Sequence, residues 1–195
     1  MLNVYTGREV ADHPEFYRRL PLYLLIATMP LILFAPLIQP HMESVRKADL
    51  VALVMIATAV WFVFAERMKP PCRTFSWAAP LAMGILQLVA LLPGASRSGL
   101  TTGAGLLVGL ERTQAARFAF LMAVPAISGA IIYEIPHIQA AGSSGLSLGF
   151  LGIGFGLCLI VSLACIHFCL RLFRSHSLIV FSVYLVLAGA GLLIM

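Results

Sequence analysis

Pro93-Gly94-Ala95-Ser96-Arg97-Ser98-Gly99, continued by Leu100-Thr101-Thr102-Gly103, interrupts a chain that consists mainly of long apolar segments. Pro93 ends the preceding helix, and Gly94 and Gly99 let the backbone turn and approach a ligand closely. Arg97 adds a guanidinium group that matches phosphate oxygens. Free N–H groups and the helix dipole favour an anion at the start of the next helix. The hydroxyl side chains there are Ser96, Ser98, Thr101 and Thr102. This stretch therefore predicts a phosphate-binding loop inside a membrane protein.

The composition determines the class of protein around this loop. The chain has 195 residues, of which 61% are hydrophobic and only 11% are charged, and its mean hydropathy is +0.97. These values lie far outside those of soluble globular domains and indicate a polytopic membrane protein. The net charge of +5 does not predict a nucleic-acid partner, because the basic residues lie between apolar segments and not in one patch.

A second interpretation of the motif is a capped break between two helices, with Arg97 extending to the lipid headgroups. Ionisable groups at membrane depth usually face a cavity and mark a substrate path. Four hydroxyl groups beside one arginine, between glycines, are also more than a helix cap requires. We therefore favour the phosphate-binding loop.

Segment lengths predict the architecture. An apolar segment at 76–92 leads into the motif, and the helix after it, at 99–110, would be only about 18 Å long, too short for a 30 Å membrane core. These two pieces predict a re-entrant hairpin over 76–110, whose irregular backbone must line a cavity or be buried. The prediction is an all-α, polytopic membrane helix bundle forming one domain, 1–195, with a polar N-terminal segment, 1–19. Its five spanning helices are predicted at about 20–38, 49–65, 113–134, 148–170 and 177–195.

Prolines and glycines refine these boundaries. Pro21 suits a first helical turn, whereas Pro136 argues against a continuous helix through Glu134 and His137. That acidic residue and histidine are therefore assigned to a helix end near the headgroups. The positions predicted to bend helices are Pro30, Pro36 and Pro125, and those predicted to allow close helix packing are Gly149, Gly152, Gly154 and Gly156.

Basic residues predict the orientation. With the N-terminus inside, the outer loops hold only Arg46 and Lys47, and Arg97 lies in the hairpin. This asymmetry fits the positive-inside rule, although a hairpin and two full spans would give the same count. The ten basic residues on the inner side are Arg8, Arg18, Arg19, Arg67, Lys69, Arg73, Arg112, Arg117, Arg171 and Arg174.

Three stretches carry a resemblance to a known family. Gly84-Ile85-Leu86-Gln87-Leu88-Val89-Ala90-Leu91-Leu92-Pro93-Gly94-Ala95-Ser96-Arg97-Ser98-Gly99 resembles the second signature of the undecaprenyl-diphosphate phosphatases of the bacitracin-resistance type. The resemblance continues through 105–110 and 115–126. It implies a bacterial plasma-membrane enzyme, built from two inverted repeats that each contain a re-entrant hairpin. Such enzymes hydrolyse a polyprenyl diphosphate lipid to its monophosphate with a divalent cation, Mg²⁺ or Ca²⁺, and we include a homodimer among the expected partners.

The resemblance also implies roles for individual residues. Ser96 and Arg97 match the family's catalytic Ser-Arg pair, Ser98 and Thr101 match further polar positions, and Gln87 matches a polar residue that faces the site. Together with the motif itself, this gives the predicted phosphate-binding set Gly94, Ser98, Gly99, Thr101, Thr102 and Gln87.

The family's first repeat contains paired glutamates and a histidine, and it is expected upstream of residue 1. The sequence is accordingly predicted to correspond to the C-terminal two-thirds of such a protein. The carboxylates within the 195 residues are an inadequate supply for a metal site, because Mg²⁺ and Ca²⁺ take oxygen ligands. The candidates considered are Glu111, Glu134 with His137, His41 with Glu43 in the outer loop, and Glu66, which is predicted to form a loop ion pair with Arg67.

The sequence is also compatible with two other functions. A polyprenyl-phosphate carrier or flippase would also use discontinuous helices with anion-binding ends near mid-membrane. It would need Arg97 and yet release no inorganic phosphate. A catalytically incomplete fragment of the phosphatase would associate with a partner or have no activity of its own.

Overall fold

The computed structural model describes residues 14–38, 40, 46–71, 75–140, 147–175 and 177–194. Within these ranges the regular structure is entirely helical, which confirms the all-α prediction. The seven helices are α1 (Pro14–Ile38), α2 (Ala48–Met68), α3 (Ala78–Val89), α4 (Arg97–Leu107), α5 (Arg112–Ala140), α6 (Leu148–Ser175) and α7 (Leu178–Ile194). The predicted outer-loop pair His41 and Glu43 lies outside the described residues.

Four of these helices are long and apolar enough to cross a membrane: α1, α2, α5 and α6. The last predicted span, α7, is apolar and has 17 residues, which corresponds to about 26 Å at 1.5 Å per residue. The predicted polytopic membrane helix bundle is therefore confirmed.

Helices α3 and α4 form a short hairpin inside this bundle. They have 12 and 11 residues, or about 18 and 16 Å, so that neither crosses a 30 Å hydrocarbon core. They pack against each other. Arg112 at the start of α5 donates a hydrogen bond to Glu66 near the end of α2, so the chain leaves the hairpin on the side where it entered. The helix lengths favour a re-entrant hairpin over two full spans. The ion pair fits both arrangements, because both return the chain to the side where it entered.

Two predictions about prolines are wrong. Helix α1 begins at Pro14, so Pro21 lies well inside it and the first-turn proline is Pro14 itself. Helix α5 continues through Pro136 to Ala140. Near the end of a long helix, the carbonyl group that loses its donor to proline can be hydrated, so the helix is not forced to stop there.

Helix α4 occupies the centre of the bundle and packs on α2, α3 and α5. Every residue from Gly99 to Leu106 is buried. Gly99 faces the ring of Phe62 on α2, and Gly103 faces Trp61 one turn along. Two glycines four residues apart therefore let α4 approach α2 closely. A short polar helix is thus held by neighbours on three sides.

Glu66 is not in a loop ion pair with Arg67, as the sequence predicts, and this prediction is wrong. It is buried in the last turn of α2. Its Oε1 atom accepts hydrogen bonds from Lys69, at 2.6 Å, and from Arg112, and its Oε2 atom accepts one from the backbone N–H of Leu178, at 3.3 Å. This carboxylate joins the ends of α2, α5 and α7 on one side of the bundle.

The packing predicted for the glycines of α6 is absent within the described chain. A methyl group added at Gly152, Gly154 or Gly156 would meet no atom within 4 Å. Helix α6 contacts mainly α5, and among its described side chains only Phe173, near its end, is buried. The reason is positional: α6 lies at the edge of the bundle, and no described atom of another helix lies near these glycines.

Candidate functional site

The tip of the hairpin is a tight turn between α3 and α4. The amide of Ala95 donates to the carbonyl of Leu92 at 3.1 Å, and Gly94 has a φ of +89°. A Cβ atom at Gly94 would also lie 2.6 Å from the carbonyl oxygen of Val51 on α2. Only glycine combines this left-handed conformation with so close a contact. Gly94 therefore allows the turn to pack closely against α2.

The first turn of α4 presents uncapped amides. Ser96 is the N-cap, with φ −80° and ψ 100°, but its hydroxyl makes no capping hydrogen bond. The first helical bond runs from the amide of Leu100 to the carbonyl of Ser96, at 2.8 Å. The preceding N–H groups have no intrahelical acceptor, and with the helix dipole they favour an anion at this end. This argues against the alternative interpretation, in which the motif is only a capped break between two helices.

A cavity of about 610 Å³ extends from this hairpin tip to the far ends of α1 and α5. Its lining is mostly aliphatic, with contributions from α1, α3, α5 and the turn. Arg97 and Gln87 contribute from the hairpin, and Glu134 contributes from α5. The remaining polar side chains of the described lining are Thr28, Arg46 and Tyr133.

Two nitrogen donors in this lining have no partner in the part of the chain that the structure describes. Gln87 is 1% exposed, and its Nε2 atom makes no hydrogen bond. Arg97 is half-buried, and no hydrogen bond or ion pair joins its guanidinium to another described residue. Leaving buried donors unpaired is costly. Both donors are therefore available to an acceptor that enters the cavity.

The structure brings together some of the predicted site residues and separates others. Gln87 and Arg97 share the cavity lining, whereas Ser96 and Ser98 are half-buried next to Arg97 in the chain and are not part of the lining. Gly94 and Gly99 face α2. Their phosphate-binding roles, and the catalytic role of Ser96, remain predictions.

The two predicted threonines lie inside the helix packing. Thr101 donates its hydroxyl hydrogen towards the carbonyls of Arg97, at 2.9 Å, and Ser98, at 3.2 Å. Thr102 is fully buried, and its hydroxyl has no partner among the described residues. Neither belongs to the cavity lining, and their predicted contacts with phosphate also remain predictions.

Two lining residues were not predicted as site residues. Sequence patterns assign Glu134 to the headgroups and Arg46 to an outer loop, but both line the same cavity as Arg97. Glu134 lies on α5, the helix that also contributes Pro125, Ala130 and Tyr133 to the lining. The available signal was the isolation of Arg46 and Lys47 as the only basic residues predicted on the outer side. The side chain of His137 is not among those described.

The described residues do not form a complete metal site. No group of three or more His, Cys, Asp or Glu side chains occurs among them. Within the cavity, Glu134 is the one carboxylate of the described lining. Divalent cations of the Mg²⁺ and Ca²⁺ type need several oxygen ligands. This donor set does not fit a resident cation by itself.

Fold and site define a polytopic membrane protein in which an arginine without a partner among the described residues lies at the tip of a helical hairpin and faces an apolar cavity. Comparison with known families agrees with the resemblance seen in the sequence. Residues 2–191 match the model of the family described as bacitracin resistance protein BacA. The chain belongs to this family.

Three curated relatives are named undecaprenyl-diphosphatase. The chain is 38% identical to an undecaprenyl-diphosphatase of Synechococcus elongatus over 87% of its own length and 62% of that relative. It is 30% identical to one from Geotalea daltonii, over 95% of this chain and 70% of the relative. A third relative, from Mycobacterium marinum, is 32% identical over 98% of this chain and 70% of the relative. The chain thus spans somewhat less than two-thirds of the first of these relatives and 70% of the other two.

Proposed function

We propose that this protein hydrolyses undecaprenyl diphosphate to undecaprenyl phosphate and inorganic phosphate in the bacterial plasma membrane. This reaction would recycle the lipid carrier of cell-wall synthesis and confer bacitracin resistance. The observation that carries the proposal is the position of Arg97, which lines an apolar cavity beside the uncapped start of α4. Its guanidinium group has no partner in the described part of the chain. The names of the relatives support it. A homodimer is included in the proposal.

The cavity suits an amphipathic lipid. Its aliphatic walls, including Leu31, Ile32 and Ile127, match a polyprenyl chain, while Arg97 and Gln87 offer donors to an anionic headgroup. In a water-poor cavity these charge-assisted hydrogen bonds are stronger than at an exposed surface. The headgroup is therefore expected at the hairpin tip, with the tail along the apolar walls.

The reacting phosphoryl group needs charge neutralisation and a positioned nucleophile. Arg97 would neutralise charge on the phosphate oxygens, and the N–H groups at the start of α4 would add fixed dipoles. Ser96 would act as a nucleophile or as a hydrogen-bond donor, and as a nucleophile it would need a base. We also propose that the reaction requires Mg²⁺ or Ca²⁺, because the sequence resembles a family of cation-dependent phosphatases.

The test is phosphate release from a long-chain polyprenyl diphosphate by the purified chain in bilayer discs. We expect release that depends on added Mg²⁺ or Ca²⁺ and stops with a chelator. Binding of the lipid without phosphate release would contradict hydrolysis by this chain and would fit either the carrier or the catalytically incomplete fragment. Phosphate release that persists in the presence of a chelator would contradict the cation requirement but not the hydrolase function.

Ser96→Ala should lower the turnover number about a hundredfold and change the lipid dissociation constant by less than about threefold. Removing a donor that acts mainly on transition-state charge has an effect of this order. The measurement is single-turnover kinetics alongside equilibrium binding. Ser128→Ala is the matched control, because the hydroxyl of Ser128 donates to the carbonyl of Val124 and lies outside the cavity. Equal losses in turnover and binding would make Ser96 a binding donor only.

A further inference from the structure

We propose that Arg46 is a second anion-binding residue of the cavity, and that it selects a diphosphate headgroup over a monophosphate. This inference rests on the proposed function, because it assigns the second phosphate of the same substrate to a residue outside the family-like motif. Arg46 comes from the connection between α1 and α2, 51 residues before Arg97 in the sequence, and both line one cavity.

The charges of the cavity support this role. A diphosphate ester carries more than one negative charge, and a single guanidinium neutralises only one of them. Among the described lining residues the cations are Arg46 and Arg97, and the anion is Glu134. No ion pair joins Glu134 to either arginine, and Arg46 has no hydrogen-bond partner among the described residues. Both guanidinium groups are therefore available to anionic oxygens.

The position of Arg46 gives a second, independent reason. Glu66, Arg112 and Leu178 meet at one side of the bundle, and Arg46 follows α1 at the opposite side. By the predicted orientation this is the outer side, where basic residues are disfavoured. A basic residue that lies there and lines the cavity calls for a specific role, and binding a ligand anion supplies one.

The hairpin geometry places the two arginines at different depths. Helix α3 has 12 residues, so the tip with Arg97 lies about 18 Å from the inner end of the hairpin. Arg46 precedes α2 at the outer end of the bundle. A headgroup held between them would have one phosphate at Arg97 and the other towards the cavity mouth. The monophosphate would contact Arg97 alone.

Lys47 provides a matched control. It is the neighbouring residue, it carries the same charge, and it forms the N-cap of α2 without a side-chain capping bond. It is not part of the cavity lining. If Arg46 acts only through the general surface charge, replacing either residue should have the same effect. If it contacts the headgroup, only Arg46 should matter.

The experiment measures binding of a polyprenyl diphosphate and of the monophosphate with the same tail, to the full chain in discs of a zwitterionic lipid. Arg46→Ala is expected to weaken binding of the diphosphate about thirtyfold, and of the monophosphate less than threefold, from the typical strength of one charge-assisted contact. Arg46→Lys should recover part of the loss, and Lys47→Ala should bind both lipids normally. Arg46 is exposed, so the thermal unfolding temperature should stay unchanged.

Three results would overturn the inference. Equal weakening for the two headgroups would show that Arg46 does not discriminate between them. Equal effects of Arg46→Ala and Lys47→Ala would reduce its role to surface charge. Failure of the unaltered chain to bind either lipid would overturn the proposed function and this inference with it. In the first two cases the proposed function stands, so the two failures can be told apart.

Discussion

Arg97→Ala should weaken binding of a polyprenyl diphosphate by at least about a hundredfold. Hydrogen bonds to charged groups contribute roughly 1.5–3 kcal/mol each, and a two-pronged guanidinium contact therefore contributes about 3 kcal/mol or more. The described part of the cavity has one other cation, Arg46, and this residue belongs to the far end of the lining. Among the described lining residues of the hairpin, the alanine variant leaves the Gln87 side chain as a donor, beside the uncapped N–H groups at the start of α4.

The measurement is equilibrium binding in bilayer discs, with phosphate release followed in parallel. Arg97→Lys keeps the charge but loses the planar fork, and we expect it to recover only part of the affinity. Arg117→Ala is the matched control, because Arg117 is exposed on α5 and lies outside the cavity. Normal lipid binding by a correctly folded Arg97→Ala protein would contradict the assignment of the hairpin tip as the phosphate site.

Gly94→Ala should destabilise the protein by about 2–5 kcal/mol. Part of this cost is the left-handed backbone, about 1–2 kcal/mol for a residue with a Cβ atom. The rest is overpacking, typically about 1–3 kcal/mol, because the new methyl group would lie 2.6 Å from the carbonyl oxygen of Val51. Since this atom belongs to the backbone of α2, a change of side-chain rotamer cannot relieve the contact. The turn would have to move away from α2, and Arg97 would move with it.

Thermal unfolding in mild detergent measures this effect, with lipid binding as the second readout. Gly152→Ala serves as the control, because a methyl group at Gly152 meets no atom within 4 Å and alanine is the better helix former. We expect the control to unfold at the same temperature as the unaltered chain, or slightly higher. Should Gly94→Ala lose lipid binding at an unchanged unfolding temperature, Gly94 would act on the ligand and not on the fold.

Variants at Arg97 and Gly94 distinguish a residue that binds the ligand from a residue that holds the turn in place. Arg97 is expected to act on the ligand directly, whereas Gly94 is expected to act through the position of the turn. Ser96 lies between them in the chain, as the N-cap of α4. A displaced turn would therefore reduce turnover and binding together, and the loss of Ser96 alone would reduce mainly turnover. Comparing the three variants distinguishes these causes.

Some properties of this protein follow from local sequence alone. Apolar segment lengths determine the helical class, because a membrane requires every backbone polar group to be satisfied within a helix. The short segments around Pro93 and Gly94 determine a hairpin that is too short to cross, as the 12 and 11 residues of α3 and α4 show. The motif around Arg97 also indicates the family. All of these depend on residues that are close together in the chain.

Other properties were decided only by the tertiary structure. Glu66 receives a hydrogen bond from Leu178, 112 residues away, and Gly99 is covered by Phe62 of another helix. Arg46 and Glu134 reach the cavity of Arg97 from separate elements. Periodicity and composition predict the secondary structure of each segment and whether it lies in the membrane. They do not predict which faces of distant helices come into contact. These meetings depend on side-chain packing between helices, and for this reason the cavity could be described only from the folded chain.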